Sequence, residues 1–154
     1  MNTRQLELEL LRYAPEQDQE PRFQNYSVPC EEDWAILDAL NYVKENIDTT
    51  LAYRWSCHMM VCGSCGMMVN GEPSLTCKTF IRDLPDHVRI EPLENCPIER
   101  DLVVVLDDVM EKLQRAKPYI IRKDPPPENE EFNQSRGALY KFKQYTMCVN
   151  CMCC

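Results

Sequence analysis

Four of the ten cysteines lie in one part of the chain with a regular spacing, and three of the four glycines lie beside them. Four residues separate Cys57 from Cys62, two separate Cys62 from Cys65, and eleven separate Cys65 from Cys77. A C-x4-C-x2-C run followed by a distant fourth cysteine is the ligand spacing of plant-type [2Fe–2S] clusters. The sequence therefore predicts a metal centre of this type with Cys57, Cys62, Cys65 and Cys77 as its ligands.

The glycines of this segment suit such a centre. An iron–sulfur cluster carries net negative charge, and backbone N–H groups that point inward stabilise it. A loop of this kind needs residues that tolerate positive φ and let the main chain approach closely, as glycine does. We expect Gly63 and Gly66 to shape the cluster loop. Asn70-Gly71 is a strong hairpin signal, which would bring Cys77 back towards the loop.

A tetrahedral zinc site is the main alternative, because four cysteines suit Zn²⁺ as well. Zinc sites usually pair two short cysteine knuckles, whereas Cys57 and Cys77 stand outside any knuckle. The spacing favours the cluster, and zinc or free thiols stay open. Cys30 and Cys96 have no ligand partner nearby in sequence, so we expect them to be small buried apolar residues.

Four methionines flank the cysteine loop, and we expect them to pack around the cluster and exclude water. These are Met59, Met60, Met67 and Met68.

Hydrophobic periodicity predicts the elements that position the loop. Leu6, Leu8 and Leu10 alternate with polar residues, which predicts a strand, and residues 23–29 predict a second strand that completes a hairpin. Residues 33–47 predict a helix capped by Asp33. Its apolar face would contain Ile36, Leu37, Leu40, Val43 and Ile47. With strands on both sides of Asn70-Gly71 and a last strand at 87–93, the order is β-β-α-loop-β-β-β, a mixed α+β domain ending near Pro97.

The rest of the chain predicts helices and a linker. Residues 99–116 have the pattern of one amphipathic helix, and residues 135–145 that of a short helix. The inward side chains of the first would be Leu102, Leu106, Val109 and Leu113. Residues 123–134 are rich in proline and acidic residues, which is typical of a linker.

The composition argues against several classes of protein. A net charge of −8 does not favour a nucleic-acid surface, because phosphate contacts need clustered lysine and arginine. The first residues alternate leucine with glutamate and lack the apolar run of a signal peptide. No stretch approaches the roughly 18 apolar residues of a spanning helix. We therefore expect a protein of a reducing compartment, where cysteines are metal ligands or thiols.

Beyond the spacing, RWSCHMMVCGSCGMMVNG with LTCKTFIRD, NCPIERDLVV, AKPYI and CVNC resembles the iron–sulfur subunit of the succinate dehydrogenase/fumarate reductase family. Cysteine at all four ligand positions is more similar to the fumarate reductase branch. The resemblance implies a plant-type ferredoxin-like β-grasp domain over residues 1–97. It also implies that residues 98–154 hold a helix, a linker and the start of an α-helical bacterial ferredoxin-like domain, so the fold class is α+β.

The resemblance also implies a function. The subunit would pass electrons between the FAD of a flavoprotein subunit and quinone at membrane anchor subunits, during succinate/fumarate interconversion. It would be an enzyme subunit only, with no catalytic residues and no dicarboxylate site of its own. It would lie peripherally on the cytoplasmic side of the plasma membrane, within a membrane-bound complex and without a nucleic-acid partner.

The end of the sequence departs from the family pattern. Cys148, Cys151 and Cys154 match the first three cysteines of the C-x2-C-x2-C-x3-C-P run, which in this family bind a [4Fe–4S] cluster. The fourth cysteine and those that supply a [3Fe–4S] cluster are not in this sequence. The resemblance therefore implies an incomplete [4Fe–4S] site in a C-terminally incomplete family member. Cys153 is an extra cysteine where the family has an apolar residue.

Two other functions stay open on the sequence. A stand-alone [2Fe–2S] ferredoxin-like electron carrier would use its acidic surface to dock to basic partners. The segments after Pro97 argue against it, because a lone ferredoxin has no need of them. A structural zinc module that acts as an interaction domain is the other alternative.

Overall fold

The structure is a computed structural model that describes residues 4–119, 121, 125, 133–149 and 151–153. The chain divides into two units. The first comprises Met1–Leu106 together with Val149–Cys154, and the second comprises Asp107–Cys148.

A five-stranded mixed sheet forms the frame of the first unit. Its strands are β1 (Arg4–Arg12), β2 (Arg22–Cys30), β3 (Gly66–Val69), β4 (Glu72–Leu75) and β5 (His87–Glu91). They lie in the order β2-β1-β5-β3-β4, with β1 parallel to β5 and every other neighbouring pair antiparallel. Both predicted hairpins are confirmed, and Gly71 takes the positive φ of 81° that the second turn requires.

The alternation in β1 has the predicted effect on burial. Leu6, Leu8 and Leu10 are completely buried, because period-2 spacing places them on one face of the sheet. The same core contains Val88 and Ile90 of β5. The apolar face of the sheet is therefore packed against another element of the first unit.

Helix α1 (Ile36–Tyr42) is that element and continues as a wider π-helical turn over Val43–Ile47. The predicted helix is right in position but wrong in its start. Ala35 is the N-cap, and Asp38 accepts the backbone N–H of Ala35 at 2.8 Å, so Asp33 is not the cap.

The predicted apolar face of α1 is confirmed except at its end. Ile36, Leu37, Leu40 and Val43 are completely buried. Ile47 is instead 49% exposed, because the wider π-helical turn breaks the 3.6-residue spacing on which the prediction depended.

The single helix predicted over residues 99–116 is wrong in its first half. A small hairpin of β6 (Ile98–Arg100) and β7 (Val103–Val104) precedes helix α2 (Asp107–Ala116). The turn of this hairpin is at Asp101, which has a φ of 47° and is 2% exposed. Leu102 points inward as predicted, but into the core of the first unit. The tertiary contacts of the buried Asp101 side chain override the helical periodicity.

The second unit contains α2 and helix α3 (Arg136–Tyr145), which confirms the predicted short helix. The Ser135 side chain caps α3 by accepting the N–H of Ala138 at 3.2 Å. Most of the predicted 123–134 linker lies outside the described residues. Among the residues that the structure describes, no helix is long and apolar enough to cross a membrane.

Candidate iron–sulfur site

Cys65 and Cys77 lie at the two ends of the β3–β4 hairpin, so the turn at Asn70-Gly71 brings them together. Both are buried, at 3% and 7% exposure, and they pack against Leu37 of α1. The Cys65 thiol is close enough to contribute to the raised pKa of the Cys77 thiol. The hairpin thus performs the role that the sequence predicts for it.

Thr76 fixes the distance between these two cysteine segments. It is completely buried, and both its backbone N–H and its hydroxyl donate to the carbonyl oxygen of Cys65, each at 3.1 Å. The carbonyl oxygen of Thr76 accepts the N–H of Leu37 at 3.2 Å. One residue therefore joins the end of the hairpin to the first turn of α1, whose N–H groups have no partner within the helix.

Cys57 and Cys62 lie in the loop before β3, where backbone N–H groups surround their sulfur atoms. Cys57 Sγ accepts the N–H groups of Met59, Val61 and Cys62 at 3.3–3.4 Å. Cys62 Sγ accepts those of Cys57 and Ser64 at 3.4 and 3.5 Å. Five inward N–H donors form an anion-binding concavity, the environment that a negatively charged metal–thiolate group requires.

The backbone of the loop achieves this by using left-handed residues. Gly63 has a φ of 71°, as the sequence predicts, but His58 and Met60 are also left-handed, at 55° and 58°. Residues of this conformation between right-handed neighbours turn successive N–H groups to one side. The expected positive φ is wrong for Gly66, which lies in extended β3, whereas the expected close approach is present there: an added Cβ would be 2.6 Å from the carbonyl oxygen of Cys151.

His58 connects the loop to α1. Its Nε2 lies 3.1 Å from Oδ1 of Asp38, the carboxylate that also accepts the N–H at the start of α1. Its ring also meets the edge of the Trp55 ring, with 5.9 Å between centroids. The histidine is therefore a contact that helps to hold the loop on the helix, which its type and position in the sequence did not reveal.

The surroundings of the cysteines shift two thiol pKa values in opposite directions. Hydrogen bonds from Ser64 and from the N–H of Cys57 lower the pKa of the Cys62 thiol to about 6. Burial, with the neighbouring Cys65 thiol, raises the pKa of the Cys77 thiol to about 11. Metal ligands bind as thiolates, so metal binding would displace a proton from Cys77 far more than from Cys62.

The thiols are arranged as two pairs. Cys57 and Cys62 are joined by N–H···S hydrogen bonds in both directions, and Cys65 and Cys77 pack in one small cluster. Within the described part of the chain, no three Cys, His, Asp or Glu side chains are grouped around a position for one metal ion. The four predicted ligands therefore lie in and beside one loop as two pairs, and they do not surround a single position.

The methionines around the loop do not behave alike. Met67 and Met68 of β3 are buried, as expected. The prediction is wrong for Met59 and Met60, which are 70% and 49% exposed because the loop turns its backbone inward and its side chains outward. With the exposed Trp55 and Val61 they form a group that we call the loop patch: Trp55, Met59, Met60 and Val61.

The remaining cysteines occupy different environments. Cys30 and Cys96 are buried, as predicted, and burial raises the pKa of the Cys30 thiol to about 11. Cys148, in the second unit, is exposed, whereas Cys151, in the first unit, is half-buried. Cys154 lies outside the described residues, so the [4Fe–4S] ligand set stays a prediction.

Sequence analysis missed a buried charged network that supports the segment before the loop. The guanidinium of Arg12, a residue only 6% exposed, donates to Asp48 at 2.5 Å, to Asp101 at 3.0 Å and to Thr50 at 2.8 Å. Tyr26 donates its hydroxyl to the Asp48 carboxylate at 2.7 Å. A buried cation is stable only when it is paired in this way, so the network is closely constrained.

Asp101 extends this network to the backbone. Its Oδ1 accepts the N–H of Tyr13 at 2.9 Å, and its Oδ2 accepts the N–H of Ala52 at 2.8 Å. Ala52 lies five residues before Cys57, and its carbonyl oxygen accepts the N–H of Leu102 at 3.2 Å. The β6–β7 hairpin therefore anchors the segment that leads into the cysteine loop.

A mixed sheet covered by one helix, with four cysteines in and beside one loop, defines a ferredoxin-like iron–sulfur domain. Residues 7–111 match the model of the family described as "2Fe-2S iron-sulfur cluster binding domain", and the chain belongs to that family.

Individual relatives agree with this assignment. The fumarate reductase iron-sulfur subunit of Mycobacterium tuberculosis (strain CDC 1551 / Oshkosh) is 50% identical over 149 residues, which cover 96% of this chain and 60% of that protein. The subunit of the same name from Haemophilus influenzae is 48% identical over 164 residues, covering 99% and 64%. The chain thus spans roughly three fifths of the length of these relatives.

A solved structure and a more distant relative extend the comparison. The "Mycobacterium smegmatis Sdh1 complex in the apo form" matches with a TM-score of 0.84 and 25% identity, over 99% of this chain and 63% of that one. The succinate dehydrogenase iron-sulfur subunit of Coxiella burnetii is 34% identical over 147 residues, 94% of this chain and 62% of that protein. These matches confirm the family resemblance, its fumarate reductase-like branch and the α+β fold class.

Proposed function

We propose that the chain is the electron-transfer iron–sulfur subunit of a fumarate reductase or succinate dehydrogenase and that Cys57, Cys62, Cys65 and Cys77 bind a [2Fe–2S] cluster. The observation that carries the proposal is the set of five backbone N–H groups directed at the sulfur atoms of Cys57 and Cys62. When bound, such a cluster accepts and releases one electron at a time.

The pairing of the thiols supports a two-iron centre. A [2Fe–2S] cluster contains two irons, and four cysteines supply two ligands to each. Cys57 pairs with Cys62 in the loop, and Cys65 pairs with Cys77 across the hairpin. We assign one pair to each iron.

The protein residues have two roles in this function. The N–H donors stabilise negative charge on the thiolates, which favours the reduced state and raises the reduction potential. Burial of Cys65 and Cys77 under α1 excludes water from one side of the centre. Thr76 and the Arg12 network hold the two segments in place.

The loop patch is the proposed contact with a flavoprotein subunit that carries FAD. Its four apolar side chains are exposed beside the cysteines, although the chain is acidic overall, and Trp and Met are enriched at protein interfaces. Membrane anchor subunits with quinone would lie on the other side of the electron path. We propose the cytoplasmic face of the plasma membrane as the location, with the chain peripheral to the membrane.

Two finer assignments belong to the same proposal. Residues 1–97 are the ferredoxin-like domain, and residues 98–154 begin the helical domain, although the first structural unit continues to Leu106. Cys148, Cys151 and Cys154 are proposed as ligands of a [4Fe–4S] cluster.

The test is to co-express the chain with the fumarate reductase flavoprotein subunit of its own host and to follow the reduced-cluster signal by electron paramagnetic resonance. Succinate should produce the signal in the pair, and dithionite should produce it in the chain alone. A signal with dithionite but not with succinate would favour the stand-alone carrier.

A matched pair of variants tests the loop patch. Met59→Glu with Val61→Glu should abolish co-purification and the succinate-driven signal while keeping the dithionite signal, because the N–H donors of the loop are backbone atoms. Ile47→Glu, at an apolar residue of similar exposure outside the loop, is the control. Equal behaviour of the two variants would contradict the assigned interface.

A further inference from the structure

Gly66 contacts the terminal segment, which we define as residues 151–153. Gly66 is extended and outside the left-handed region, so its backbone does not require glycine. An added Cβ would nevertheless lie 2.6 Å from the carbonyl oxygen of Cys151, and real Cβ atoms essentially never approach below 3.0 Å. The backbone of the terminal segment therefore occupies the space that any side chain at position 66 would need.

Met152 gives a second, independent indication of the same contact. It has a φ of 61°, a left-handed conformation that is unfavourable for a long side chain and persists only with compensating contacts. Its side chain lines a cleft of about 490 Å³ together with Trp55, Cys62 and Ser64. The strained residue of the terminal segment therefore lies against the cysteine loop itself.

Cys153 completes the contact. Its Sγ would be 3.5 Å from a Cβ on Gly66, and it donates to the carbonyl oxygen of Cys151 at 3.6 Å. Cys153 is not one of the predicted cluster ligands, and this packing gives the extra cysteine a structural role. All of these residues belong to the first unit.

We propose that Gly66 is the docking point of the terminal segment and that the missing side chain at position 66 allows the backbone of Cys151 to lie directly against the residue that follows Cys65. Gly66 directly follows Cys65, so the contact joins a predicted ligand of the first site to Cys151 of the second with no side chain between them. The docking proposal depends only on the geometry of these contacts. Any role of the docking in electron transfer depends on the proposed function.

The experiment measures how fast Cys153 reacts with iodoacetamide in protein purified without oxygen. Mass spectrometry with peptide fragmentation assigns each modified cysteine, and the exposed Cys148 is the internal reference. In Gly66→Ala the oxygen of Cys151 must retreat from 2.6 Å to beyond 3.0 Å. The rate at Cys153 relative to Cys148 should rise about tenfold as the segment opens.

Gly71→Ala is the matched control. Gly71 has a φ of 81° but no atom within 4 Å of an added Cβ, so this variant brings backbone strain without the close approach. It should leave the labelling ratio at its original value. A rise in Gly71→Ala equal to that in Gly66→Ala would attribute the effect to general loosening and overturn the docking proposal.

A second variant decides the matter if Gly66→Ala does not fold. Met152→Ala removes the side chain from the cleft and leaves the cysteine loop intact, and it too should raise the ratio. An unchanged ratio in either folded variant overturns the docking. The spin count of the dithionite-reduced cluster is measured on the same samples. If the unsubstituted chain shows no such signal while Gly66→Ala still raises the labelling ratio, the proposed function is rejected and the docking proposal stands.

Discussion

Cys65 and Cys77 lie under helix α1 at 3% and 7% exposure, whereas Cys148 is exposed in the second unit. The first pair is held by Thr76 and by a hairpin whose register is fixed by its turn. Within their described spans, the helices α2 and α3 bury no side chain. The scaffold therefore holds Cys65 and Cys77 through buried contacts, whereas Cys148 is exposed to solvent.

The helices show the same difference. Helices α1 and α3 both have apolar residues at helical spacing, yet Leu37 is completely buried and Leu139 is 39% exposed. The pattern of apolar residues specifies a helix, but burial depends on an opposing surface, which the sheet supplies to α1.

The largest effect on stability is expected at the buried helix. Leu37→Ala should lower the free energy of unfolding by about 2–5 kcal/mol, because it leaves a cavity beside Cys65 and Cys77. Leu139→Ala should change it by less than about 1 kcal/mol. Denaturant titration followed by tryptophan fluorescence measures the effect of Leu37→Ala, since Trp34 and Trp55 lie in the first unit, and far-ultraviolet circular dichroism measures that of Leu139→Ala in the second unit. Similar losses in the two variants would contradict the contrast between the units.

The next effect concerns the charged network of the first unit. Asp48→Asn should cost about 1–3 kcal/mol at neutral pH, because the carboxylate accepts hydrogen bonds from Arg12, Tyr26 and Thr50. Asp86→Asn is the control, since Asp86 pairs with Arg4 but is 81% exposed and should contribute less than about 1 kcal/mol.

The pH dependence gives a separate test of this network. Burial alone would raise the pKa of Asp48, but the hydrogen bonds from Thr50, Tyr26 and Arg12 together hold it well below its usual value. The unfolded state then binds the proton more readily, so the contribution of Asp48 is complete above the usual carboxyl pKa, declines as the pH falls below it, and is lost as the pH falls through the lowered pKa of the folded state. Between pH 7 and about pH 3, the free energy of unfolding should fall less steeply with decreasing pH in Asp48→Asn than in the unsubstituted protein. An equally steep fall in both proteins would show that Asp48 is not responsible for the loss of stability at low pH.

A smaller effect is expected at Thr76. Thr76→Val keeps the shape and the backbone N–H bond but removes the hydroxyl that donates to Cys65, at a cost of about 1 kcal/mol. The exposed Thr49→Val is the control. The variant should also broaden the resonance lines of the reduced cluster, because the Cys65 segment is less tightly held. Unaltered stability and line shape would mean that the backbone bond alone fixes the segment.

The smallest effect belongs to the second unit. Ser135→Ala removes the N-cap of α3 and should reduce helix content locally, at about 0.5 kcal/mol, the low end of the range for caps. Far-ultraviolet circular dichroism should detect the change while the fluorescence-detected unfolding of the first unit stays constant. A shift of that unfolding transition would show that α3 stabilises the first unit.

Local signals predicted most of the elements around the site. The alternation of Leu6, Leu8 and Leu10 identified β1, and Asn70-Gly71 identified the hairpin that brings Cys65 and Cys77 together. These features depend on residues close in sequence, so a single sequence is sufficient to predict them. The cysteine spacing belongs to the same category, because a loop that wraps a cluster takes most of its ligands from one short stretch.

Features that depend on distant contacts were not predictable. The turn at Asp101 exists because its carboxylate holds Arg12 and the N–H of Ala52, and no neighbouring residue signals it. Likewise His58 and Met60 adopt left-handed conformations although neither is glycine. No local sequence signal therefore indicates that the backbone N–H groups of this loop point towards the cysteine sulfur atoms. Both features lie next to the candidate site, where tertiary constraints override local preference.

The most direct test of the central claim is electron paramagnetic resonance on chain purified without oxygen, before and after dithionite, with spins counted per chain. The account predicts a reduced-state signal of about one spin per chain in the unsubstituted protein and in Cys148→Ala, and its loss in Cys65→Ala. No signal in either state, with zinc found by metal analysis, would contradict the account and leave the structural zinc module as the explanation.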